Sequence, residues 1–253
     1  MKNLYLYLSS VLLGILLSLN SNAQTVKIPD PNFKKKLIFL GLDLNGDGEI
    51  QVSEAQKVMK LNVDQANISS LIGIKSFTNL KELSFWNNQV SILDLEGMKN
   101  LEEIFGYNNQ IQTINLKGMI NLRTLYVHQN KISTLDLTGL LKLEDIKMHD
   151  NLLYKVNIPN LPKLVRIEFQ KNNLNEFKVS GCHAVKLIRL SENQLSKLDF
   201  SQFKELEELS LRDNPLISLN IIGLRKLKSI DCSYTRLSNV NMSGTVSLDK
   251  MEW

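Results

Sequence analysis

The sequence predicts a solenoid of stacked turns, with a parallel β-sheet along one wall and little helix along the other. Three observations predict it. A leading apolar position recurs every 21 residues without interruption, at Leu80, Leu101, Leu122, Leu143, Leu164, Val185, Leu206, Leu227 and Leu248. Within each period the apolar residues follow L-x-x-L-x-L-x-x-N-x-L-x-x-L-x-L, as in LRTLYVHQNKISTLDL at residues 122–137. A strand-like alternation is thus followed by a turn and a second extended run. Two further columns keep the same period: Asn88, Asn109, Asn130, Asn151, Asn172, Asn193 and Asn214, and Gly97, Gly118, Gly139, Gly181, Gly223 and Gly244. A solenoid grows by adding turns, so 253 residues do not imply several packed domains. A 21-residue period leaves no room for a full outer helix, so the outer wall is expected to be extended segments and turns.

This template at this period resembles the leucine-rich repeat, over residues 59–253. The resemblance implies an α/β horseshoe-class solenoid, here mostly strand and turn, with the parallel sheet on its concave face. It also implies that the Asn amides are buried and bond the backbone of adjacent turns. The glycine column marks a turn that requires positive φ. Residues 59–79 form a less regular first turn, with Leu61, Val63, Ile68, Leu71, Ile74 and Phe77 in core positions and Ala66 where later turns carry Asn. Its segment ISSLIGIKSFTNL resembles the opening turns of internalin-like bacterial surface proteins.

The N-terminal region divides into two parts. Residues 1–23 combine Lys2, an apolar run from Leu4 to Leu19 and a small-residue end at Ser21-Asn22-Ala23, the pattern of a cleaved secretory signal peptide. Residues 24–58 read as a small cap. After a short extended leader, Asp30-Pro31 is a helix start, followed by Phe33, Leu37, Ile38 and Leu40 as an apolar stripe against Lys34, Lys35 and Lys36. Residues 43–54, DLNGDGEIQVSE, match the twelve-residue EF-hand loop position by position. Asp43, Asn45 and Asp47 would offer side-chain oxygens, Glu49 its carbonyl, Gln51 a water-mediated contact and Glu54 a bidentate carboxylate. A single structural Ca2+ is the cofactor this loop implies. The loop is unpaired and the helix after it is short, so the ion is expected to fix a cap over the first turn and not to act as a switch.

Between the core positions of each strand, three columns face outward on the concave surface. They place Trp86, Phe105, Tyr107, Tyr126 and His128 side by side, followed by Lys147, His149, Arg166, Glu168, Arg189 and Arg212 as a mixed-charge patch. Aromatic residues and arginine dominate binding hot spots, and these residues are the expected partner-binding set. The alternative is a cross-strand aromatic ladder that only stabilises the sheet. His128 and His149 on adjacent turns, with Asp150 beside them, could bridge a transition metal, although two ligands fall short of a tight site.

Composition excludes several classes. The net charge of +4 is interspersed, without a basic tail, which argues against nucleic acid. Beyond residues 1–23 no apolar run spans a membrane. The two cysteines, Cys182 and Cys232, fall three turns apart in different columns, about 14 Å at the spacing of β-strands, too far for a disulfide. No nucleophile elbow, HExxH or phosphate-binding glycine loop suggests an enzyme. The expectation is a secreted or cell-surface module, or a periplasmic one, that recognises a protein or peptide on its concave face. Glycan binding or adhesion through the aromatic patch, and assembly through an open C-terminal edge at residues 251–253, are the alternatives.

Overall fold

The computed structural model describes residues 24–253; the expected signal peptide lies outside the described residues. Its main feature is a ten-stranded parallel sheet built from β1 (Lys60–Asn62), β2 (Glu82–Ser84), β4 (Glu103–Phe105), β6 (Thr124–Tyr126), β7 (Asp145–Lys147), β9 (Arg166–Glu168), β11 (Leu187–Arg189), β13 (Glu208–Ser210), β15 (Ser229–Asp231) and β16 (Lys250–Glu252), in that spatial order. From β2 onward each residue faces its equivalent one 21-residue period away, as Glu82 faces Glu103 and Thr124 faces Asp145. The first step is one residue longer, with Lys60 opposite Glu82.

The outer wall carries three separate two-stranded sheets: β3 (Ile92–Asp94) with β5 (Thr113–Asn115), β8 (Lys155–Ile158) with β10 (Glu176–Val179), and β12 (Lys197–Asp199) with β14 (Ser218–Asn220). Residues 131–137 between the first two sheets form no strand. Apart from one short 3-10 turn, Ile74–Ser76, this wall has no helix, as the short period demands.

Between the walls runs a continuous apolar core. In every inner strand before β16 the middle residue points into it, for example Leu83, Ile104, Leu125 and Ile146, all with no exposed surface, whereas Met251 of β16 is exposed. Phe85, Val127, Met148 and Phe169 fill the next column, also with none exposed. One turn departs from the column: Gly106 stands between Phe85 and Val127, and a Cβ there would lie 2.3 Å from the tip of the Phe85 ring. The large ring occupies the space its neighbour gives up, a local jigsaw fit.

The turns are closed by the asparagine column, and each amide is buried. Asn130 Nδ2 donates to the Gly106 and Val127 carbonyls at 3.0 and 3.1 Å, and its Oδ1 accepts from Ile111 N–H at 2.8 Å. One side chain therefore satisfies groups of its own turn and of the preceding one, and without it the buried Ile111 N–H would have no partner. At the last regular position Thr235 donates only to the Cys232 carbonyl of its own turn, at 2.8 Å.

The glycine column adopts positive φ throughout, from 68° at Gly181 to 83° at Gly139. A second left-handed position recurs just before each ladder amide, at Asn87, Asn108, Gln129, Asp150, Lys171, Glu192, Asp213 and Tyr234, with φ of 53–58°. Both cysteines are buried free thiols, and burial raises the pKa of each, Cys232 to about 12. Among the described residues no helix is long and apolar enough to cross a membrane.

Over the first turn sits the cap. Helix α1 (Pro31–Phe39) starts at Asp30, whose Oδ1 accepts from Phe33 N–H at 2.9 Å. Its buried residues are Phe33 and Leu37 alone, whereas the expected stripe also held Ile38 and Leu40. Leu40 ends the helix at its C-cap, and Ile38 lies to one side of the Phe33–Leu37 line, so both are left in solvent. Helix α2 is a single turn, Val52–Ala55.

Candidate functional site

The loop between α1 and α2 is folded around its own carboxylates. Asp43 Oδ1 accepts from Gly46 N–H at 2.8 Å and its Oδ2 from Gly48 N–H at 2.9 Å. Asn45 Oδ1 accepts from Asp47 N–H, and Asp47 Oδ1 accepts from Glu49 N–H, at 3.0 and 2.8 Å. Glu54, buried, closes the loop by accepting from Leu44 N–H and Gln51 N–H, both at 2.8 Å. Gly46 and Gly48 take φ of 74° and 80°, which only glycine adopts at little cost and which brings the chain back on itself. Gln51 is 4% exposed; its Nε2 donates to Asp47 Oδ2 at 2.7 Å, while its Oε1 has no partner. Among the described residues no three His, Cys, Asp or Glu side chains stand placed to hold a metal by themselves. A cation here would need the amide oxygens of Asn45 and Gln51 and the Glu49 carbonyl beside the three carboxylates. Glu49 itself pairs through its side chain with Lys34 of α1.

Two contacts tie this loop to the solenoid. The leader, expected only to be extended, pairs with the loop: Val26 N–H donates to Ile50 C=O at 2.8 Å and Val52 N–H to Gln24 C=O at 2.7 Å. It thus supplies the antiparallel support that a lone loop would lack. Asp30 Oδ2 meanwhile accepts from Ser69 N–H, Ser69 Oγ and Ser70 N–H, at 2.8, 2.7 and 3.0 Å. Burial alone would raise the Asp30 pKa, but the hydrogen bonds from Ser69, Phe33 and Ser70 outweigh it and hold the carboxyl below its usual range.

On the concave face the expected aromatic residues meet as a ladder. Trp86 stacks on Tyr107 with centroids 5.5 Å apart and planes 3° apart; Tyr107 stacks on His128 at 4.6 Å, and His128 on His149 at 4.2 Å. All four rings are partly buried. Their faces cover one another, so mainly edges are presented to solvent, while Phe105 meets Tyr126 edge-on at 5.5 Å in the next column. The outward rings therefore stack as a cross-strand ladder.

Stacked planes also bear on a metal. A ligating nitrogen donates in its ring plane, and two rings 4.2 Å apart and 22° from parallel do not converge on one ion. His149 Nδ1 contacts Asp150 Oδ2 at 2.7 Å instead. The His128 pKa is pushed down to about 4, first by burial and then by His149 and Lys147, and its Nδ1 is buried without a partner.

Beside the ladder lies a charged knot. Glu168, 7% exposed, sits among Arg189 Nη1 at 3.3 Å, Lys147 Nζ at 3.7 Å and Arg166 Nε at 3.9 Å. Asp145 Oδ2 accepts from Arg166 Nη1 at 2.8 Å and from Tyr126 O–H at 2.9 Å. Burial, followed by that bond to Asp145, pushes the Tyr126 pKa up to about 12. Asp145 Oδ1 and Gln170 Oε1 are buried without partners, so three of the unpaired polar atoms in the described structure belong to this face. Asp145 and Gln170 belong to the same outward columns but lay outside the expected partner-binding set.

Arg212 is not part of the knot. It pairs with Asp213 at 3.1 Å and lies over the Tyr234 ring, 4.6 Å from its centroid. Asp64 was missed altogether, because the longer first step shifts its column by one; counting back 22 residues from Trp86 finds it.

Repeating inner strands, a buried amide ladder and an outer wall of short strands and turns define a leucine-rich repeat solenoid. The family description Leucine Rich repeats (2 copies) matches residues 78–118, the segment that carries β2 and β4. The chain is similar in structure to the functional domain of InlJ from Listeria monocytogenes, at 18% identity over 90% of this chain and 61% of that one, TM-score 0.52. It is also similar to YopM from Yersinia enterocolitica, at 23% identity over 78% of this chain and 46% of that one, TM-score 0.59. It therefore spans well short of either protein's length. No curated protein matches the sequence. At these identities the likeness establishes the fold.

Proposed function

We propose that this chain is an exported or surface-displayed recognition module that binds a protein partner on its concave face. The observation that carries the reading is the four-ring ladder from Trp86 to His149 lying beside a knot of Lys147, Arg166, Arg189 and Glu168. Rigid rings whose edges face outward offer large contact area at little entropic cost, and arginines with spare donors supply directional contacts. A glycan is less well served, because sugars pack on ring faces and the stack takes up both faces of Tyr107 and His128 and one face of Trp86. The test is a pull-down of extracellular proteins on wild type and on Trp86→Ala/Tyr107→Ala. Loss of the specific bands from the variant is expected; identical bands would refute the concave face as the site.

We also propose that the residue 43–54 loop takes one Ca2+. Asp43, Asn45, Asp47, the Glu49 carbonyl, Gln51 and Glu54 would hold it, and the buried, unpartnered Gln51 Oε1 is the observation in its favour. When bound, the ion supplies a cross-link between α1 and α2, which the leader and Asp30 join to the first turn. Calcium is expected to raise Tm and to slow proteolysis within residues 24–60. A titration to millimolar calcium that moves neither would rule the site out.

A further inference from the structure

Helix α1 leaves in solvent what an amphipathic helix ordinarily buries. Phe33 and Leu37, four residues apart, line its inner face. Lys35 and Phe39, also four apart, fall on the opposite face, and Phe39 is 82% exposed, the most exposed large apolar side chain among the described residues. Ile38 and Leu40 flank it in the chain, both exposed, and Leu44, 61% exposed, follows in the loop. The start of the helix is fixed to the first turn by Asp30 and by Asn32, whose Nδ2 donates to the Asn67 carbonyl at 2.9 Å. At its other end the Leu40, Gly41 and Leu42 N–H groups bond only to carbonyls of the helix itself, those of Lys36, Ile38 and Leu37. The cap thus carries an apolar tip at the end of α1 away from its anchor.

Beside this tip the charge is positive. Lys36 Nζ lies 6.0 Å from the Phe39 ring centroid, and Lys35 stands one turn before Phe39 on the same face. Neither lysine has an ion pair or a side-chain hydrogen bond among the described residues, whereas Lys34 is taken by Glu49. The neighbouring carboxylates are turned inward. Asp43 receives the Gly46 and Gly48 N–H groups and Asp47 the Glu49 N–H and Gln51 Nε2, so their oxygens are committed to the loop. Calcium in that loop, as proposed above, adds further positive charge. Lysine is depleted at the centre of protein interfaces, where its ammonium loses water. At a lipid surface both parts are accommodated: the apolar tip enters the acyl boundary, the lysine stems lie along it, and the ammonium groups stay among the headgroups.

We propose that the tip of the cap docks on an anionic lipid surface. Phe39 and Leu44 enter the apolar boundary, Ile38 and Leu40 widen the contact, and Lys35 and Lys36 meet the headgroup phosphates. The contact lies at the β1 end of the stack and uses none of the concave-face residues.

Vesicle sedimentation tests this, with the chain from Gln24 onward and millimolar calcium in every sample so that the loop is in one state. Vesicles of equal phosphatidylglycerol and phosphatidylcholine are expected to carry the protein down, and phosphatidylcholine alone to carry much less. Phe39→Ser/Leu44→Ser and Lys35→Glu/Lys36→Glu should each weaken binding to the anionic vesicles at least about tenfold, and added salt should weaken it too. None of the four side chains is buried, so both variants should melt at the wild-type Tm. Trp86→Ala/Tyr107→Ala should sediment like wild type, which separates the tip from the concave face. No sedimentation with anionic vesicles, or equal sedimentation of wild type and both tip variants, would overturn the proposal. Equal binding to the two kinds of vesicle would overturn the anionic character of the site. A concentration-dependent mass that falls on Phe39→Ser, without vesicle binding, would overturn it in favour of self-association. The calcium reading is judged by Tm and proteolysis, and stands or falls apart from these outcomes.

Discussion

His128 is held neutral inside a stack of rings, and this has a consequence for stability. Its pKa of about 4 in the fold lies below the roughly 6.5 of an unfolded chain. The unfolded state therefore binds the proton first as pH falls, and stability is lost between about pH 6.5 and pH 4. His128→Phe keeps a ring in the ladder and removes both the titrating group and the unpartnered Nδ1. Urea denaturation across this range should show a shallower loss for the variant than for wild type, with no penalty at neutral pH. Parallel pH profiles would mean that His128 carries none of the acid sensitivity. Asp30 behaves in the same direction at lower pH: its folded pKa lies below the usual 3.8, so the contacts it makes with Ser69 and Ser70 persist above that value and fail beneath it. A cap-specific loss of protease resistance below about pH 4 is expected.

At the scale of the elements, the turn is held by one amide. Asn130→Ala would leave Ile111 N–H without its partner in the core and the Gly106 and Val127 carbonyls with one amide donor each, from Asn109 and Asn151, and about 1–3 kcal/mol of stability should go with it. A cost under about 0.5 kcal/mol, measured by chemical denaturation, would show that the ladder is dispensable at that turn. This level was also the most legible in the sequence. The Leu and Asn columns repeat at a constant interval, and parallel pairing turns a constant interval into a stack. The glycine turns were legible because Gly reports positive φ directly. The companion left-handed position was not, since Gln129, Lys171, Glu192 and Tyr234 have no such preference and adopt φ near 55° only because the stack imposes it. The pairing of Gln24 and Val26 with the loop was hidden for a similar reason: it depends on where the cap docks, which no local pattern encodes. Asp64 was lost to a single extra residue in the first step.

The whole molecule combines a closed beginning with a graded inner face. From β2 to β11 that face changes from ring edges to an internally paired charged knot, while the core positions beneath it stay apolar. Scaffold and recognition are thus separate columns of the same strands, and only the outward ones vary in character. The sequence identified which residues face outward, but not that four of them would stack or that Arg212 would turn to Asp213 and Tyr234. Those outcomes depend on distances between side chains on neighbouring turns. The central claim is that this face, at its aromatic end, is where the partner binds. Titration calorimetry of a peptide selected on the wild-type chain, against wild type and Trp86→Ala/Tyr107→Ala, tests it most directly. The account predicts a loss of affinity of at least about tenfold in a variant that still melts cooperatively; equal affinity for both proteins would contradict it.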